Sequence, residues 1–299
     1  MARIALASSA SYVDDSELDL LRRAVGNLGH DVTVEVWDDD AVDWHDFALT
    51  VIRTTWDYTD HHDEFLAWTR RVPRLRNRSD VIAWNTHKTY LRDLARLGCP
   101  VIPTAWDVTD QDTLAKHAEA WGVDADATEW VVKPAVSAGS RDTARWTDTD
   151  DALTHSRALV ESGRTAMLQP YVDSVDAHGE TAVLFVGGEL SHAVVKGAML
   201  APGEGIRDDR DSREKITPTT ASDAQVDVAR RALRAAGEAL GGGLDLLYAR
   251  VDLVAGPDGA PQVIELELTE PSLFLPYVDG AAERFASAVT SAVNSLGRV

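Results

Sequence analysis

The stretch from residue 248 to 275, YARVDLVAGPDGAPQVIELELTEPSLFL, predicts an antiparallel hairpin that gathers acidic side chains on one face. Asp258-Gly259 is typical of a tight two-residue turn, and such a turn places Asp252 opposite Glu265. Side chains alternate between the two faces of a strand. The acidic face is therefore predicted to carry Arg250, Asp252, Glu265 and Glu267. The other face is apolar, with Leu253, Ile264, Leu266 and Leu268.

The three carboxylates on this face predict a metal site. Carboxylates packed together repel one another and become protonated or destabilising if nothing neutralises them. A hard divalent cation such as Mg²⁺ prefers oxygen ligands, so we expect it to be held by Asp252, Glu265 and Glu267. The alternative is a half-exposed hairpin with a solvated acidic face. Strands disfavour Glu and Asp, and the opposite face is strongly apolar, which favours the metal site.

The N-terminal part of the chain has the pattern of a doubly wound parallel sheet. Near-continuous apolar strands are predicted at residues 2–8, 31–37 and 48–53. A helix that Ser16 can cap and that runs to about Leu28 separates the first two strands. Strand–helix–strand order with buried strands indicates a parallel α/β sheet.

Ligands of such sheets bind beyond the carboxyl ends of the strands. Residues 8–15 (SSASYVDD) and 53–60 (RTTWDYTD) lie there. Arg53 ends an apolar strand, where it could meet a substrate carboxylate. The sequence equally allows a surface or ion-paired arginine at this position.

Two lysines lie in the middle of the chain, and the second of them precedes a segment that could bind phosphate. Lys88 lies in a helix predicted over residues 85–97, which Asn85 or Thr86 would cap. Lys133 ends a strand, and the small, polar residues 137–143 that follow could wrap phosphates with backbone N–H groups. Between the two lysines, a strand is predicted at 100–104 and a helix at 110–121.

The second half of the chain adds another predicted hairpin, which turns at Gly187-Gly188. Glu180 and Lys196 flank its outer ends and should lie near each other, as a simple ion pair or as ribose and phosphate contacts. Residues 202–218 are polar and are interpreted as an active-site lid or as a surface excursion. Further helices are predicted at 149–162, 222–240 and 279–296.

Composition excludes several classes of function. The net charge of -20 over 299 residues disfavours general attraction to nucleic acid or to anionic membranes. The single cysteine, Cys99, excludes an internal disulfide. Because no stretch resembles a signal peptide or a membrane span, we expect a cytoplasmic protein.

The order of these signals resembles the ATP-grasp superfamily of carboxylate–amine ligases, from about Asn85 to Pro271. The resemblance implies an α/β (α+β ATP-grasp) fold with an N-terminal doubly wound parallel sheet and a mainly antiparallel C-terminal sheet. It implies domains at 1–84, 85–168 and 169–299, with ATP between the last two. The third metal ligand of the superfamily is usually Asn and is Glu267 here, which adds a negative charge.

The resemblance also implies roles for individual residues. ATP would contact Lys88, Lys133, Ser137, Gly139, Ser140, Arg141, Gln169, Tyr171, Val172, Lys196 and an acid that binds ribose, either Asp176 or Glu180. Mg²⁺ would be held by the three hairpin carboxylates. Arg250 and Lys196 are the expected catalytic residues, which would orient the substrate carboxylate or neutralise the transferring phosphoryl group.

More narrowly, SSASYVDD, RTTWDY, NTHKTYL and IELELTEPSLFL resemble the cyclo-ligases that close the ring of the antibiotic cycloserine. This resemblance implies that O-ureido-D-serine is activated as an acyl phosphate and closes to D-cycloserine, with release of CO₂ and ammonia. The expected substrate contacts are Ser9, Tyr12, Arg53, Thr54, Glu270 and Ser272.

Three other interpretations stay open at this point. The chain could be an ATP-grasp ligase that joins two separate amino-acid-like substrates, a non-catalytic nucleotide-binding regulator, or a structural metal protein. We expect a small-molecule substrate and neither a nucleic-acid nor a membrane partner, and the sequence is compatible with a homodimer.

Overall fold

The computed structural model describes residues 1–207 and 214–296 and contains three β-sheets. The first sheet is parallel, with strand order β2-β1-β3-β4. Its strands are β1 (Arg3–Ser8), β2 (Asp31–Val36), β3 (Leu49–Thr54) and β4 (Leu75–Arg76). Helix α1 (Ser16–Asn27) packs on one face and α2 (His62–Arg71) on the other, which confirms the doubly wound arrangement. Asp15 rather than Ser16 caps α1, since its carboxylate accepts from the Glu17 N–H at 2.8 Å.

The predicted helix over 85–97 is in fact two helices, α3 (Ser79–Asn85) and α4 (Tyr90–Arg96), with Lys88 between them. Asn85 ends α3 instead of capping the next helix. Its side chain donates to the Leu266 carbonyl at 2.8 Å and accepts from the Leu268 N–H at 2.7 Å. The break lets the backbone N–H of Lys88 bond the Ala135 carbonyl at 2.8 Å.

The second sheet is antiparallel, in the order β5-β8-β6-β7. Its elements are β5 (Ala105–Trp106), β6 (Trp130–Pro134), β7 (Ala144–Trp146) and β8 (Ala166–Pro170), with helices α5 (Gln111–Trp121) and α6 (Thr149–Glu161). The strand predicted at 100–104 is wrong, because only Val101 forms an isolated bridge there. Pro100 and Pro103 lack the N–H groups that a ladder needs.

The third sheet is antiparallel as well, with strand order β11-β10-β9-β12-β13. Its elements are α7 (Ser174–His178), β9 (Glu180–Val186), β10 (Glu189–Lys196), β11 (Ile216–Thr219), α8 (Asp223–Ala239), β12 (Tyr248–Ala255), β13 (Pro261–Glu267) and α9 (Ala281–Leu296). The predicted turn at Gly187-Gly188 is confirmed. Of the predicted loop over 202–218, the last three residues belong to β11, and 208–213 lie outside the described residues.

Short 3-10 helices occupy Ala10–Tyr12, Trp44–Asp46, Trp56–Thr59 and Leu275–Tyr277. Helix α8 covers one face of the third sheet, and α9 packs between the other face and α1. The first and third sheets therefore share one apolar core. No helix in the described part of the chain is long and apolar enough to cross a membrane.

The register of the acidic hairpin is confirmed at the site but not at the turn. Asp252 pairs with Glu265 and Arg250 with Glu267 as predicted, whereas Leu253 pairs with Val263 after a bulge. The connection is consequently longer than two residues, and the Gly256 N–H closes it by bonding the Ala260 carbonyl at 2.8 Å. An extra residue in one strand changes the facing of its neighbours.

Ile264, at this bulge, is only partly buried and packs against Ile102, Val175 and Val254, outside the core cluster that contains Leu253. The prediction that it lies on the buried apolar face with Leu253 is therefore wrong, while Leu266 and Leu268 are buried as expected.

Candidate active site

One cleft of about 520 Å³ is lined by residues of the second and third sheets and by segments that follow strands of the first sheet. The predicted site residues that line it are Tyr12, Lys88, Lys133, Ser137, Gly139, Ser140, Gln169, Tyr171, Val172, Glu180, Lys196, Arg250, Glu265, Glu267, Glu270 and Ser272. Ser9, Arg53, Thr54, Arg141, Asp176 and Asp252 are not on its lining.

The three hairpin carboxylates lie at the centre of this arrangement. Asp252, Glu265 and Glu267 each offer one oxygen, and the three oxygens lie within 4.8 Å of one another. Asp252 is fully buried behind the cleft wall, and the two glutamates are partly exposed to the cleft. Oxygen donors this close fit a hard divalent cation such as Mg²⁺.

Side chains of the protein already neutralise these acids. Lys196 donates to Asp252 at 2.7 Å, and the guanidinium of Arg250 bridges Asp252 at 2.9 Å and Glu267. Lys88 lies 3.1 Å from Glu265. The repulsion argued from the sequence is therefore relieved without a metal, so the fit for a cation comes from the geometry of the oxygens and not from uncompensated charge.

The pKa values of the two glutamates are shifted in opposite directions. Burial acts to raise the pKa of Glu265, but the charges of Lys88, Lys133 and Lys196 together lower it below its usual range. Burial raises the pKa of Glu267 despite the opposing charge of Arg250. A bound cation would favour the ionised form of both carboxylates.

Two of the lysines border the segment expected to cover phosphates. Lys88 Nζ donates to the Ser137 carbonyl at 2.8 Å and to its hydroxyl at 3.2 Å. Lys133 is the last residue but one of β6, and burial lowers its pKa against the opposing charge of Glu265. Gly139 and Ser140 adopt left-handed backbone conformations with φ values of 62° and 58°. The loop thus turns sharply over the cleft with small residues.

Arg141 belongs to the same loop but does not line the cleft. Its guanidinium bonds both carboxylate oxygens of Asp60, at 2.6 and 2.7 Å. Asp60 follows the 3-10 helix Trp56–Thr59, which comes directly after strand β3 of the first sheet. Arg141 therefore ties the loop to the N-terminal part of the chain.

Three residues that were expected to contact ATP, Gln169, Tyr171 and Val172, lie at the end of β8 and just after it. Gln169 donates to the Thr104 hydroxyl at 2.9 Å, and Tyr171 and Val172 continue the wall next to Ile102. These apolar and aromatic side chains suit a flat base.

The two candidates for the ribose-binding acid are separated by the structure. Asp176 pairs with Arg145 at 3.0 Å and accepts from the Tyr171 hydroxyl at 2.6 Å, away from the cleft. Glu180 lines the cleft, 2.8 Å from Lys196. Glu180 is accordingly the acid that the structure presents to a ligand.

On the substrate side, three of the predicted contacts are internal. The Ser9 hydroxyl donates to the Thr54 carbonyl at 3.2 Å, and Arg53, buried to 1% exposure, donates to the Pro271 carbonyl at 2.5 Å. Ser9, Thr54 and Arg53 thus lie behind the surface that meets a ligand and join β1, β3 and the segment after β13.

Tyr12, Glu270 and Ser272 do face the cleft, as predicted. Burial raises the pKa of Glu270 to about 7, against the charge of Lys88 and a hydrogen bond from Tyr58. This carboxyl can accept hydrogen bonds from an amino or amide group in its ionised form.

The sequence did not single out several aromatic and acidic residues of the cleft. Trp56, Tyr58, Phe274 and Glu214 all line it. Tyr12 and Trp56 meet edge to face with ring centroids 4.8 Å apart. Their position after strands of a parallel sheet could have indicated a ligand site, but aromatic residues in such a segment are equally typical of a hydrophobic core.

Comparisons with known proteins identify the family of this chain. Residues 4–78 match the family model described as the N-terminal domain of D-cycloserine synthetase DcsG. The chain is 39% identical over 301 residues to the cycloserine biosynthesis protein DcsG of Streptomyces lavendulae, covering 97% of this chain and 98% of the relative.

Solved structures share the fold. The crystal structure of D-cycloserine synthetase DcsG superposes with a TM-score of 0.86 at 37% identity, covering 97% of this chain and 99% of that one. The ATP-grasp ligase PsnB, solved with its minimal precursor, Mg and ADP, gives a TM-score of 0.62 at 17% identity, with 97% of each chain covered. The chain therefore belongs to the DcsG family, and it shares the fold of the ATP-grasp ligase PsnB.

Proposed function

We propose that this ligase is an ATP-dependent cyclo-ligase that converts O-ureido-D-serine to D-cycloserine, with release of CO₂ and ammonia. The observation that carries the proposal is that Lys88, Lys133 and Lys196 line the same cleft as Glu265 and Glu267. The part of this cleft proposed to bind the substrate is lined by aromatic and acidic side chains. The relationship to DcsG supports the choice of substrate.

The first step is activation of the substrate carboxylate. A carboxylate is a poor electrophile because its leaving group would be oxide, so its oxygen first attacks the γ-phosphorus of ATP and ADP leaves. Lys88, Lys133 and Lys196 neutralise the phosphate oxygens during this transfer. Mg²⁺, held by Asp252, Glu265 and Glu267, would supply further charge neutralisation when bound.

Arg250 is suited to orient the reacting groups. Its guanidinium is held by Asp252 and by the Ser272 carbonyl at 3.2 Å, so it is fixed before a substrate arrives. A preorganised cation contributes to stabilising charge that develops in the transition state. The loop from Ser137 to Thr143 covers the site and would protect the acyl phosphate from water.

Ring closure follows within the same molecule. The ureido nitrogen next to oxygen attacks the acyl carbon, the C–N bond of the five-membered ring forms, and inorganic phosphate leaves. Hydrolysis of the carbamoyl group then yields CO₂ and ammonia. An intramolecular attack benefits from high effective molarity. Glu270, which lines the cleft, would hold the substrate's amino group in its ionised form.

Incubation with ATP, Mg²⁺ and O-ureido-D-serine, followed by mass detection of cycloserine and ADP, tests the proposal. We expect both products from the wild-type enzyme. Lys133→Ala should lower turnover or ATP binding severely, by about a hundredfold, without unfolding the chain, while the exposed Lys116→Ala should retain activity. Absence of both products with the wild-type enzyme would contradict the proposed substrate, and full activity of Lys133→Ala would contradict the nucleotide site.

A further inference from the structure

The segment that follows β13 crosses the substrate side of the cleft without regular secondary structure. Residues 268–274 belong to no helix or strand, yet six consecutive backbone carbonyls in it accept hydrogen bonds from side chains. The donors for Leu268 to Leu273 are, in order, Asn77, Tyr248, Trp56, Arg53, Arg250 and His192. An irregular backbone held this completely is fixed before ligand binding.

One acidic side chain holds the other side of this segment. The carboxylate of Glu17 accepts from the Leu273 N–H and from the Leu275 N–H, both at 3.0 Å. Glu17 lies in the first turn of α1, and its side chain is only 13% exposed. Arg53 lies 3.7 Å from it and supplies the compensating charge.

The residue between these two N–H groups is the one whose backbone most needs support. Phe274 has a φ of 53°, in the left-handed region that a bulky side chain disfavours. Its ring lines the cleft and lies 5.3 Å from the guanidinium of Arg250. Such a conformation persists only where the surroundings determine it.

Leu273 is held from both directions. Its N–H donates to Glu17, and its carbonyl accepts from His192 Nε2 at 2.8 Å. His192 Nδ1 is in turn paired with the Ser191 hydroxyl at 2.8 Å. With Leu273 turned inward, the residues on either side of it, Ser272 and Phe274, line the cleft.

We infer that Glu17 is a positioning residue of the reaction, which sets residues 271–275 so that Ser272 and Phe274 meet the amino-acid substrate. It acts through the backbone, outside the nucleotide contacts. The inference rests on the proposed function only for the identity of that substrate.

The test compares Glu17→Gln with the wild-type enzyme. The amide keeps the size of the side chain but presents an NH₂ group to one of the two N–H donors, so one charge-assisted hydrogen bond is lost. We expect faster hydrogen exchange at the amides of Leu273 and Leu275. We also expect kcat/KM for O-ureido-D-serine to fall by about tenfold or more, with the KM for ATP changed less than about twofold.

Glu283→Gln is the matched control, because Glu283 is an exposed glutamate in the first turn of α9. It should leave both readouts unchanged. If Glu17→Gln does not fold, His192→Phe removes the bond to the Leu273 carbonyl with a ring of similar size and should show the same selective loss.

Unchanged exchange at Leu273 and Leu275 in these variants would overturn the inference. Faster exchange with an unchanged kcat/KM for O-ureido-D-serine would also overturn it. So would an equal loss of kcat/KM for O-ureido-D-serine and for ATP. Wild-type enzyme that makes no cycloserine contradicts the proposed function instead, and exchange at the two amides then decides whether Glu17 fixes the segment.

Discussion

Charge compensation in the cleft is arranged residue by residue. Lys88 pairs with Glu265, and Lys196 lies between Asp252 and Glu180, at 2.7 and 2.8 Å. Each cation can exchange its carboxylate for a phosphate oxygen when the nucleotide binds. The carboxylates released in this way become available to a cation that accompanies the phosphates.

Glu265→Gln tests this exchange of partners. The substitution removes the negative charge but keeps an oxygen donor, so we expect the Mg²⁺ concentration for half-maximal turnover to rise by about tenfold. Titration of ADP formation with Mg²⁺ measures the change, and the exposed Glu161→Gln serves as control. An unchanged Mg²⁺ requirement would remove Glu265 from the metal site.

For individual residues, the sequence predicted the positions of the charged side chains that line the cleft better than those of the side chains behind it. Lys133 and Lys196 lie at or next to the ends of strands, and a buried charge at such a place needs a partner or a ligand. Arg53 also lies next to the end of a strand, but its partner, the Pro271 carbonyl, lies 218 positions away in the sequence. No local pattern distinguishes an arginine that faces a ligand from one that bonds a distant backbone.

The loop from Ser137 to Thr143, which we propose covers the phosphates, is held from two sides. Lys88 bonds Ser137 near its start, and Arg141 bonds Asp60 in the N-terminal part of the chain. The latter pair is largely exposed and is therefore worth little to stability. Its effect should appear in how readily the loop closes over the nucleotide.

Asp60→Asn should accordingly raise the KM for ATP by about threefold and leave the unfolding midpoint nearly unchanged. Steady-state kinetics and urea unfolding measure the two quantities. Asp63→Asn, at a nearby exposed aspartate in α2, should change neither. A KM for ATP equal to the wild-type value would show that the loop closes independently of this pair.

A buried histidine between helix α6 and strand β7 should make the stability of the protein sensitive to acid. His155 Nδ1 accepts from the Trp146 Nε1–H at 3.1 Å, and burial lowers the pKa of His155 to about 4. The folded pKa lies below the unfolded value of about 6.5, so this contribution to stability is complete above that pH. It is lost as the pH falls through about 4 and amounts to about 3 kcal/mol in full.

His155→Gln should therefore lose less stability than the wild-type protein between pH 7 and pH 4. The free energy of unfolding in urea at both pH values provides the comparison. The exposed His45→Gln should follow the wild-type protein. If His155→Gln and the wild-type protein lost the same free energy on acidification, the histidine would not be buried in its neutral form.

The acidic hairpin shows which features of an element can be predicted from local sequence. The assumed turn at Asp258-Gly259 predicted the pairing of Asp252 with Glu265, which holds because a one-residue bulge compensates for the different turn. The predicted turn and the predicted burial of Ile264 were wrong, because a bulge shifts the register by one residue after Asp252. A bulge depends on contacts with the adjacent segment at Pro100 and Val101, which hairpin rules do not include.

At the scale of the whole molecule, the order of elements predicted the parallel first sheet and the antiparallel third sheet. It did not predict that α9, the last described helix, packs against α1 in the core shared by these two sheets. An amphipathic helix shows which face it buries but not which partner covers that face. This shared core brings α1, and with it Glu17, next to the segment after β13.

The central claim concerns the whole reaction, in which one cleft activates a carboxylate with ATP and closes the ring on it. The most direct test uses O-ureido-D-serine labelled with ¹⁸O in its carboxylate and follows the label by mass spectrometry. Attack of a carboxylate oxygen on the γ-phosphorus, followed by ring closure, predicts one ¹⁸O in the inorganic phosphate for each cycloserine formed. Cycloserine formed together with unlabelled phosphate would contradict the acyl phosphate and the account built on it.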